Sequence, residues 1–439
     1  MAPVLTPEGW RLLNSLEGYR ESEALTLSTR LRAEGHSPEL VSAVLTQSKL
    51  RSQAATKFGP FADHMVFTRA GLEQATRMNI AALHAGRFAA AGVTSVADLG
   101  CGLGADSMAL AALELKVTAV ERDETVAAAA TINLMPFPDA TVVCADAQRW
   151  VSDVLSNPAG DSGSGTSTRP EGFWLDPARR VVSTSGSARV FDPEAFSPPL
   201  SFVEGLADDG APVGVKLGPA LPHESVPAEC EAQWISVDGS LTEAVLWFND
   251  LARPQVRRAA LVLTTTAAPP DGAAAAQAAS PTAELASAAD FGDSPEVAVA
   301  GVEGLTGYLY EPDAAVIRAG LVADLVDREF AAVNGRLLDE HIAYFCADEP
   351  VATPFATGYR VLTVMPYKVK GLRRWVSETG VGRLDIKKRG VDVTPEELRR
   401  LLMSGQGKAK SRSGRHATLV LTRIGEERVA VEVEPLPTR

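Results

Sequence analysis

The stretch Val93–Glu121, VTSVADLGCGLGADSMALAALELKVTAVE, decides how this chain is read. Val96-Ala97-Asp98-Leu99 is a short apolar strand carrying one acid, and Gly100, Gly102 and Gly104 then alternate with Cys101 and Leu103. Glycines at this spacing let the backbone turn sharply and admit a ligand where a Cβ would collide. Ser107–Leu115 is composed of strong helix formers, and the first amides of such a helix face the turn. Lys116–Val120 reads as the next strand and ends at Glu121. An acid about 20 residues past the turn suits bidentate hydrogen bonding to a ribose diol.

Outward from this unit the pattern repeats. Thr125–Leu134 is an Ala-rich helix, and Ala140–Ala145 is a third strand that ends at Asp146-Ala147. Gly172–Leu175 is an apolar strand ending in Asp176-Pro177-Ala178-Arg179-Arg180. Ala211–Leu217, Glu231–Val237 and Ala244–Phe248 read as three further strands, which brings the expected sheet to seven. Residues 1–92 read as helical: Thr6-Pro7-Glu8 and Ser37-Pro38-Glu39 each place a cap residue, a first-position proline and a first-turn acid in order. One helix is expected from Ser37 to Phe58, stopping at Gly59-Pro60, and another from Thr68 to Gly92. Lys49, Arg51 and Lys57 form either a cationic patch or an ordinary solvated helix face. Residues 156–171 are Ser/Gly/Pro-rich and 264–300 Ala/Pro/Ser-rich, as expected of a surface insertion and of a flexible insert or linker.

A chain of 439 residues has room for two or three domains. No apolar run reaches the 18 residues expected of a membrane span, and MAPVLTPEGW has no basic stretch leading into an apolar core. Cys101, Cys144, Cys230 and Cys346 lie far apart, which suggests a reduced, cytoplasmic protein and supplies no zinc framework. The net charge of −13 is unevenly spread. Between Pro366 and Arg423 fifteen basic residues face five acidic ones, a net +10 that leaves −23 for the rest. An acidic body with a basic C-terminal module fits a catalytic domain carrying a polyanion-binding appendix.

Asp98-Leu99-Gly100-Cys101-Gly102-Leu103-Gly104 resembles the first motif of class I S-adenosylmethionine (SAM) methyltransferases, and residues 93–263 resemble the catalytic domain of that family. The resemblance implies a Rossmann-like sheet of seven strands with the last antiparallel. It implies a SAM site formed by Asp98, Gly100, Cys101, Gly102, Gly104, Glu121, Asp146 and Ala147. In it Asp98 sits near the methionine end, Glu121 binds ribose and Asp146 accepts from the adenine amino group. Asp176-Pro177 resembles the fourth motif of nucleic-acid methyltransferases, whose acid and proline hold a target amine in line with the methyl group. Here the fourth place of that motif is Arg179 rather than an aromatic. Arg179 and Arg180 either contact substrate phosphate or bridge acidic loops. His223, after the fifth strand, is a base candidate or a solvated loop residue.

Residues 359–439 read as β-α-β-α-β-β: Tyr359–Met365, a basic helix Lys368–Glu378, Gly382–Lys388, a helix led by Thr394-Pro395-Glu396-Glu397, and a hairpin around Gly425. Residues 301–358 serve as a connecting segment in this reading, with a helix over Asp313–Phe330. The module resembles the THUMP-like domain at the end of some bacterial SAM methyltransferases, and the helical N-terminal region resembles the one that precedes their catalytic domain. The resemblance implies RNA binding, tRNA or rRNA, with Lys368, Lys370, Arg373, Arg374, Lys387, Lys388 and Arg389 as the phosphate contacts. The expected enzyme methylates a base nitrogen of RNA, with catalytic Asp176 and Pro177 and no metal. The alternatives are a small-molecule or protein methyltransferase and a non-catalytic SAM- or RNA-binding protein. Uracil C5 chemistry needs a cysteine nucleophile, and Cys230 stands between Glu229 and Glu231, which disfavour a thiolate.

Overall fold

The structure, a computed structural model, describes residues 1–156, 169–179, 192–265, 282–404 and 414–437. Residues 157–168 of the insert expected over 156–171 and residues 266–281 of that expected over 264–300, together with Arg180, Lys408, Lys410 and Arg412, lie outside the described residues. The chain folds into two compact units. The first is built mainly from Met1–Glu231 and Glu243–Pro254, the second from Ala232–Thr242, Gln255–Thr264 and Thr282–Arg439.

The first unit opens with helices α1 (Pro7–Asn14), α2 (Ala24–Ala33) and α3 (Pro38–Phe58). Their caps are those the sequence signals: Thr6 Oγ1 accepts from the Gly9 amide and Ser37 Oγ from that of Leu40. The helix expected from Thr68 to Gly92 is instead two, α4 (Arg69–Gln74) and α5 (Met78–Ala90). Lys57 Nζ holds the break open, donating to the carbonyls of Leu72, Glu73 and Ala75 at 2.8–2.9 Å. Of the candidate patch residues, Lys49 pairs with Glu21, and Arg51 is buried on the Met65 carbonyl and Asn14. All three cations thus have partners within the helical region, Lys49 in an exposed pair and Arg51 and Lys57 on backbone carbonyls.

Strands β1 (Ser95–Leu99), β2 (Lys116–Glu121), β3 (Ala140–Cys144), β4 (Gly172–Leu175) and β5 (Val213–Leu217) are parallel neighbours in the order β5-β4-β1-β2-β3. β1 and β4 are buried on both faces, so they read as continuous apolar runs rather than alternating ones. Between the strands come α6 (Ala105–Ala112), α7 (Glu124–Leu134), α8 (Ala147–Ser156) and α9 (Leu200–Asp208). Of the two later strands, β6 (Cys230–Val237) and β7 (Ser240–Phe248), β7 runs antiparallel against β5, as expected of the last strand. Among the described residues the sheet counts nine strands rather than seven. The added two, β8 (Arg258–Leu263) and β9 (Thr282–Ser287), lie in the second unit with most of β6: β8 is parallel to β6 and antiparallel to β9. Residues 282–287, expected within a flexible insert, thus form a strand.

In the second unit a separate seven-stranded sheet follows. Its strands are β10 (Tyr308–Pro312), β11 (Arg336–Asp339), β12 (Ile342–Ala347), β13 (Ala356–Pro366), β14 (Val381–Arg389), β15 (Arg415–Ile424) and β16 (Glu427–Pro435). Their order is β11-β12-β10-β13-β16-β15-β14. The expected β-α-β-α-β-β run is present from β13 onward. The residues read as a connecting segment contribute β10, β11 and β12 to the same sheet. The single helix expected over Asp313–Phe330 is broken at Gly320 into α10 (Ala314–Arg318) and α11 (Val322–Leu325), the latter continued by a π turn. Helices α12 (Val369–Thr379) and α13 (Pro395–Met403) cover one sheet face, where Leu372, Trp375, Val376, Leu398 and Leu402 pack on Leu384, Ile386, Leu419 and Leu421. Thr394 makes no side-chain cap bond, contrary to the capping box its sequence suggests.

Candidate active site

The glycine turn follows β1 as expected. Gly100, Gly102 and Gly104 have φ of +87°, +55° and +86°, a region that costs other L-residues strain. The Val120 carbonyl accepts from the amides of Gly100 and Cys101 (2.8 and 3.1 Å), which ties the turn to the end of β2. There Glu121 accepts from the amides of Gly102 (3.2 Å) and Asp123 (2.9 Å). Each carboxylate oxygen keeps a lone pair, so the side chain can still accept from two vicinal hydroxyls. A Cβ on Gly102 would meet nothing within 4 Å, so the cradle is open on that side. Cys101 is buried, and burial pushes its thiol well above the ordinary range, so it lines the turn without nucleophilic character. Asp146 is exposed and caps α8 by accepting from the Arg149 amide at 3.1 Å, and its second oxygen remains to accept from an amino group. Ala147 follows as the first residue of α8. This donor and acceptor set fits a nucleoside carrying a diol and an exocyclic amine.

Residues Met65–Phe67 are tied to the turn through Asn133. Gln47 exchanges hydrogen bonds with the Phe67 backbone (2.7 and 2.9 Å), and Asn133 bridges the Val66 backbone to the Leu103 carbonyl. Phe58 and Phe67 pack as core with ring centroids 5.4 Å apart, while Phe61 is half exposed.

Asp176 stands directly against the glycine turn. Its amide donates to the Leu99 carbonyl, and a Cβ on Gly100 would come within 3.0 Å of the Asp176 carbonyl. Pro177 is buried behind it, and Ala178-Arg179 pairs with Phe196-Ser197 as a two-residue ribbon. The Asp176 side chain is 34% exposed, and Lys216 Nζ contacts its Oδ2 at 2.5 Å. Burial raises the Asp176 carboxyl, against the opposing pull of Lys216.

Behind this pair lies a buried network. Lys216 also donates to Thr76 Oγ1 at 3.0 Å, and Thr76 bonds Asp106. His84 lies between Asp106 (Nδ1 to Oδ1, 2.8 Å) and Glu243 (Nε2 to Oε1, 2.9 Å), its ring tilted 33° against that of Trp174 with centroids 4.3 Å apart. Burial opposes a charge on His84, yet the two carboxylates raise its pKa to about 9. Asp98 accepts from Ser107 Oγ at 2.5 Å; burial pushes its carboxyl up to about 8, with Asp106 adding to the effect. Sequence reasoning missed Thr76, His84, Asp106, Lys216 and Glu243. The available signal was a lone lysine in the apolar strand VGVKL and a lone histidine in the apolar α5. His223 lies in a short 3-10 turn after β5.

In the second unit the candidate cations divide. Lys368, Lys370 and Lys388 are exposed, and their side chains form no hydrogen bond or ion pair among the described residues. Arg373 donates to the Leu401 carbonyl, and Arg374 pairs with Glu378. Lys387 pairs with Glu311 beneath Tyr359, and Arg389 lies over the Tyr344 ring at 5.5 Å. No helix of the described residues is long and apolar enough to cross a membrane, and no group of three or more His, Cys, Asp or Glu among them is placed to hold a metal.

Two curated relatives, both described as uncharacterised S-adenosylmethionine-dependent methyltransferases, come from Mycobacterium tuberculosis strains CDC 1551 and H37Rv. Each is 30% identical over 407 residues, spanning 90% of this chain and 95% of the relative. The chain belongs to this family of SAM-dependent methyltransferases. A crystal structure from Porphyromonas gingivalis W83, assigned there as a candidate methyltransferase, matches the fold with a TM-score of 0.67. It is 17% identical, covering 96% of this chain and all of the other. The family described as THUMP domain-like matches residues 356–435, and a domain of unknown function (DUF8688) matches residues 1–54. SAM is therefore the methyl donor of this methyltransferase, and a THUMP-like module forms its C-terminal part.

Proposed function

We propose that this methyltransferase modifies RNA, at a base nitrogen of tRNA or rRNA. The observation that carries the chemistry is the seating of Asp176-Pro177 against the Gly100–Gly104 turn, which brings a hydrogen-bond acceptor to the edge of the cofactor cradle. Bound SAM would supply a methyl carbon made electrophilic by its sulfonium sulfur; the acceptor nitrogen's lone pair would form the N–C bond as the C–S pair leaves on sulfur, and the proton lost from nitrogen would pass to the Asp176 carboxylate or to water. Glu121 binds the ribose hydroxyls, Asp146 accepts from the adenine amine, and Asp98 with Cys101, Ala147 and the three glycines shapes the remaining wall. Asp176 accepts from the N–H of the target nitrogen, and Pro177 stiffens the turn that aims it. Near-attack geometry and exclusion of water are the main demands of such a displacement.

Support for RNA comes from the THUMP-like module. Lys368, Lys370 and Lys388 present unpaired charge, and Arg373, Arg374, Lys387 and Arg389 extend it while holding internal partners. The test is transfer of labelled methyl from SAM to total RNA of a strain lacking the protein, with Asp176→Asn as control. Asn keeps the shape and a partner for Lys216, whereas Ala strands a buried ammonium. Label in RNA that vanishes with Asp176→Asn, at unchanged SAM affinity, supports the reading. Label confined to protein or small molecules, with RNA blank, refutes the RNA assignment.

A further inference from the structure

The ion pair between Lys216 and Asp176 has a feature that a purely structural pair lacks. Lys216 enters from β5, is 12% exposed, and has its ammonium directed to Asp176 Oδ2 and Thr76 Oγ1. Asp176, by contrast, lies on the turn and is one third exposed. One carboxylate oxygen is therefore held inward by a nearly buried cation. The other carboxylates facing Lys216 are already engaged: Asp106 with His84 and Thr76, and Glu243 with His84. Burying an ammonium in a strand is strongly unfavourable unless good partners recover the lost hydration. A methionine of nearly the same volume would fill the space without that cost.

Resting on the methyl-acceptor role given to Asp176 above, we propose that Lys216 is the positioning residue of this methyltransferase. It pins Oδ2 of Asp176 so that Oδ1 alone points outward, as a fixed hydrogen-bond acceptor for the N–H of the substrate. The pairing also sets the class of acceptor. Asp176 arrives with its charge matched, so it offers a lone pair rather than a counter-ion. The site accordingly favours a neutral nitrogen, an exocyclic amine or ring N–H, over a cationic ammonium such as a protein lysine. Thr76, freed from helical geometry by the break between α4 and α5, holds the ammonium from its other side.

The groups facing Asp176 are Lys216 from β5, Asp98 from β1, Asp106 from α6 and Glu243 from β7, with His84 of α5 behind the last two. Lys216 is the one cation in direct contact with Asp176 among the described residues. Replacing it by methionine leaves carboxylates as the nearest charges, so Asp176 protonates at higher pH, by about 1–3 units for loss of a close opposite charge.

The experiment compares wild type, Lys216→Met, Lys216→Arg, Asp176→Asn and the Lys216→Met/Asp176→Asn double variant. SAM affinity is measured by calorimetry, and labelled methyl transfer is followed against pH into total RNA, protein and small-molecule pools. The expected result for Lys216→Met is a loss in kcat of about 100-fold, the scale of a misplaced reacting group. SAM affinity should change less than threefold, the acid limb should move up, and Lys216→Arg should recover part of the rate. In the Asp176→Asn background the second substitution should add little. Turnover equal to wild type in Lys216→Met, or SAM affinity and turnover falling together, overturns the proposal. If protein or small molecules take the label with the same Lys216 dependence, the positioning role stands and the RNA reading falls. If RNA is labelled equally by both proteins, the reverse holds. If no pool is labelled, carboxyl NMR of Asp176 decides: an upward shift in Lys216→Met supports the role and an unchanged titration overturns it. Should Lys216→Met not fold, Thr76→Val replaces it, with a partial loss of kcat at normal SAM affinity supporting the role and an unchanged rate overturning it.

Discussion

Around Asp176 the charges of the first unit are buried and matched, whereas those of α12 and β14 in the second unit mostly face water. Lys216 reaches Asp176 at 12% exposure, and Glu231, fully buried, takes both Arg87 and Arg253. Lys368, Lys370 and Lys388 face outward with no internal partner among the described residues. The first arrangement fixes geometry, because a buried charge that loses its partner is penalised severely. The second leaves the charge available to a polyanion, whose affinity grows with the number of phosphates neutralised. Under the proposed function, the same residue types would serve chemistry in one unit and recognition in the other.

The comparison is tested most severely where burial is deepest. Glu231→Ala removes the fully buried carboxylate that Arg87 and Arg253 share and should destabilise the protein by about 3 kcal/mol, read by urea denaturation. A loss under about 1 kcal/mol, the scale of an exposed pair, would mean that the buried charges of the first unit do not form a rigid frame.

Gly100→Ala should abolish SAM binding in calorimetry with a smaller effect on folding. Its Cβ would press on the Asp176 carbonyl at 3.0 Å, and the backbone sits at φ +87°. Retained SAM affinity would show that this turn tolerates a side chain.

His84 and Asp98 set the pH dependence. Both bind a proton more tightly folded than unfolded, at about 9 against 6.5 and about 8 against 3.8. The stability contributed by His84 is fully present below pH 6.5 and lost as the pH rises through about 9. That of Asp98 declines from pH 3.8 up to about 8. The melting temperature should therefore fall between pH 6.5 and about 9, and Asp98→Asn should flatten the part below about 8. A flat profile in the wild type would mean that the cluster is open to water.

Smallest in stability, yet large in binding, are the surface changes. Lys368→Glu, Lys370→Glu and Lys388→Glu should leave the melting temperature unchanged while weakening RNA binding. Each lost phosphate contact should reduce the log–log salt slope by about 0.7–0.9. Arg374→Ala, which breaks only an exposed pair four residues along α12, should move neither fold nor catalysis. A loss of fold from any lysine change would erase the contrast between the units.

The glycine turn, the acids at the ends of β2 and β3, and the Asp-Pro turn were legible because each depends on local rules. These are positive φ at glycine, an acid at a strand end, and a proline that stiffens the backbone after it. The caps at Thr6, Ser37 and Thr68 were legible for the same reason. The break after α4 was not, since it depends on Lys57 reaching carbonyls 15 to 18 residues away. β9 was hidden by its Ala/Pro-rich surroundings, and β10–β12 by short segments whose partners lie far along the chain. Arg373, Lys387 and Arg389 look like free cations in sequence, and only their neighbours reveal that each is already engaged.

By itself the sequence determined the alternation of strands and helices around β1, the glycine turn and the charge asymmetry, because these arise from local backbone preference, apolar periodicity and counting. Tertiary structure decided which charges meet. Thr76, His84, Asp106, Lys216 and Glu243 lie far apart along the chain and converge behind Asp176 only when α5, α6, β5 and β7 assemble. Burial then turns ordinary ionisable side chains into a fixed frame, since a charge removed from water must hold its partner.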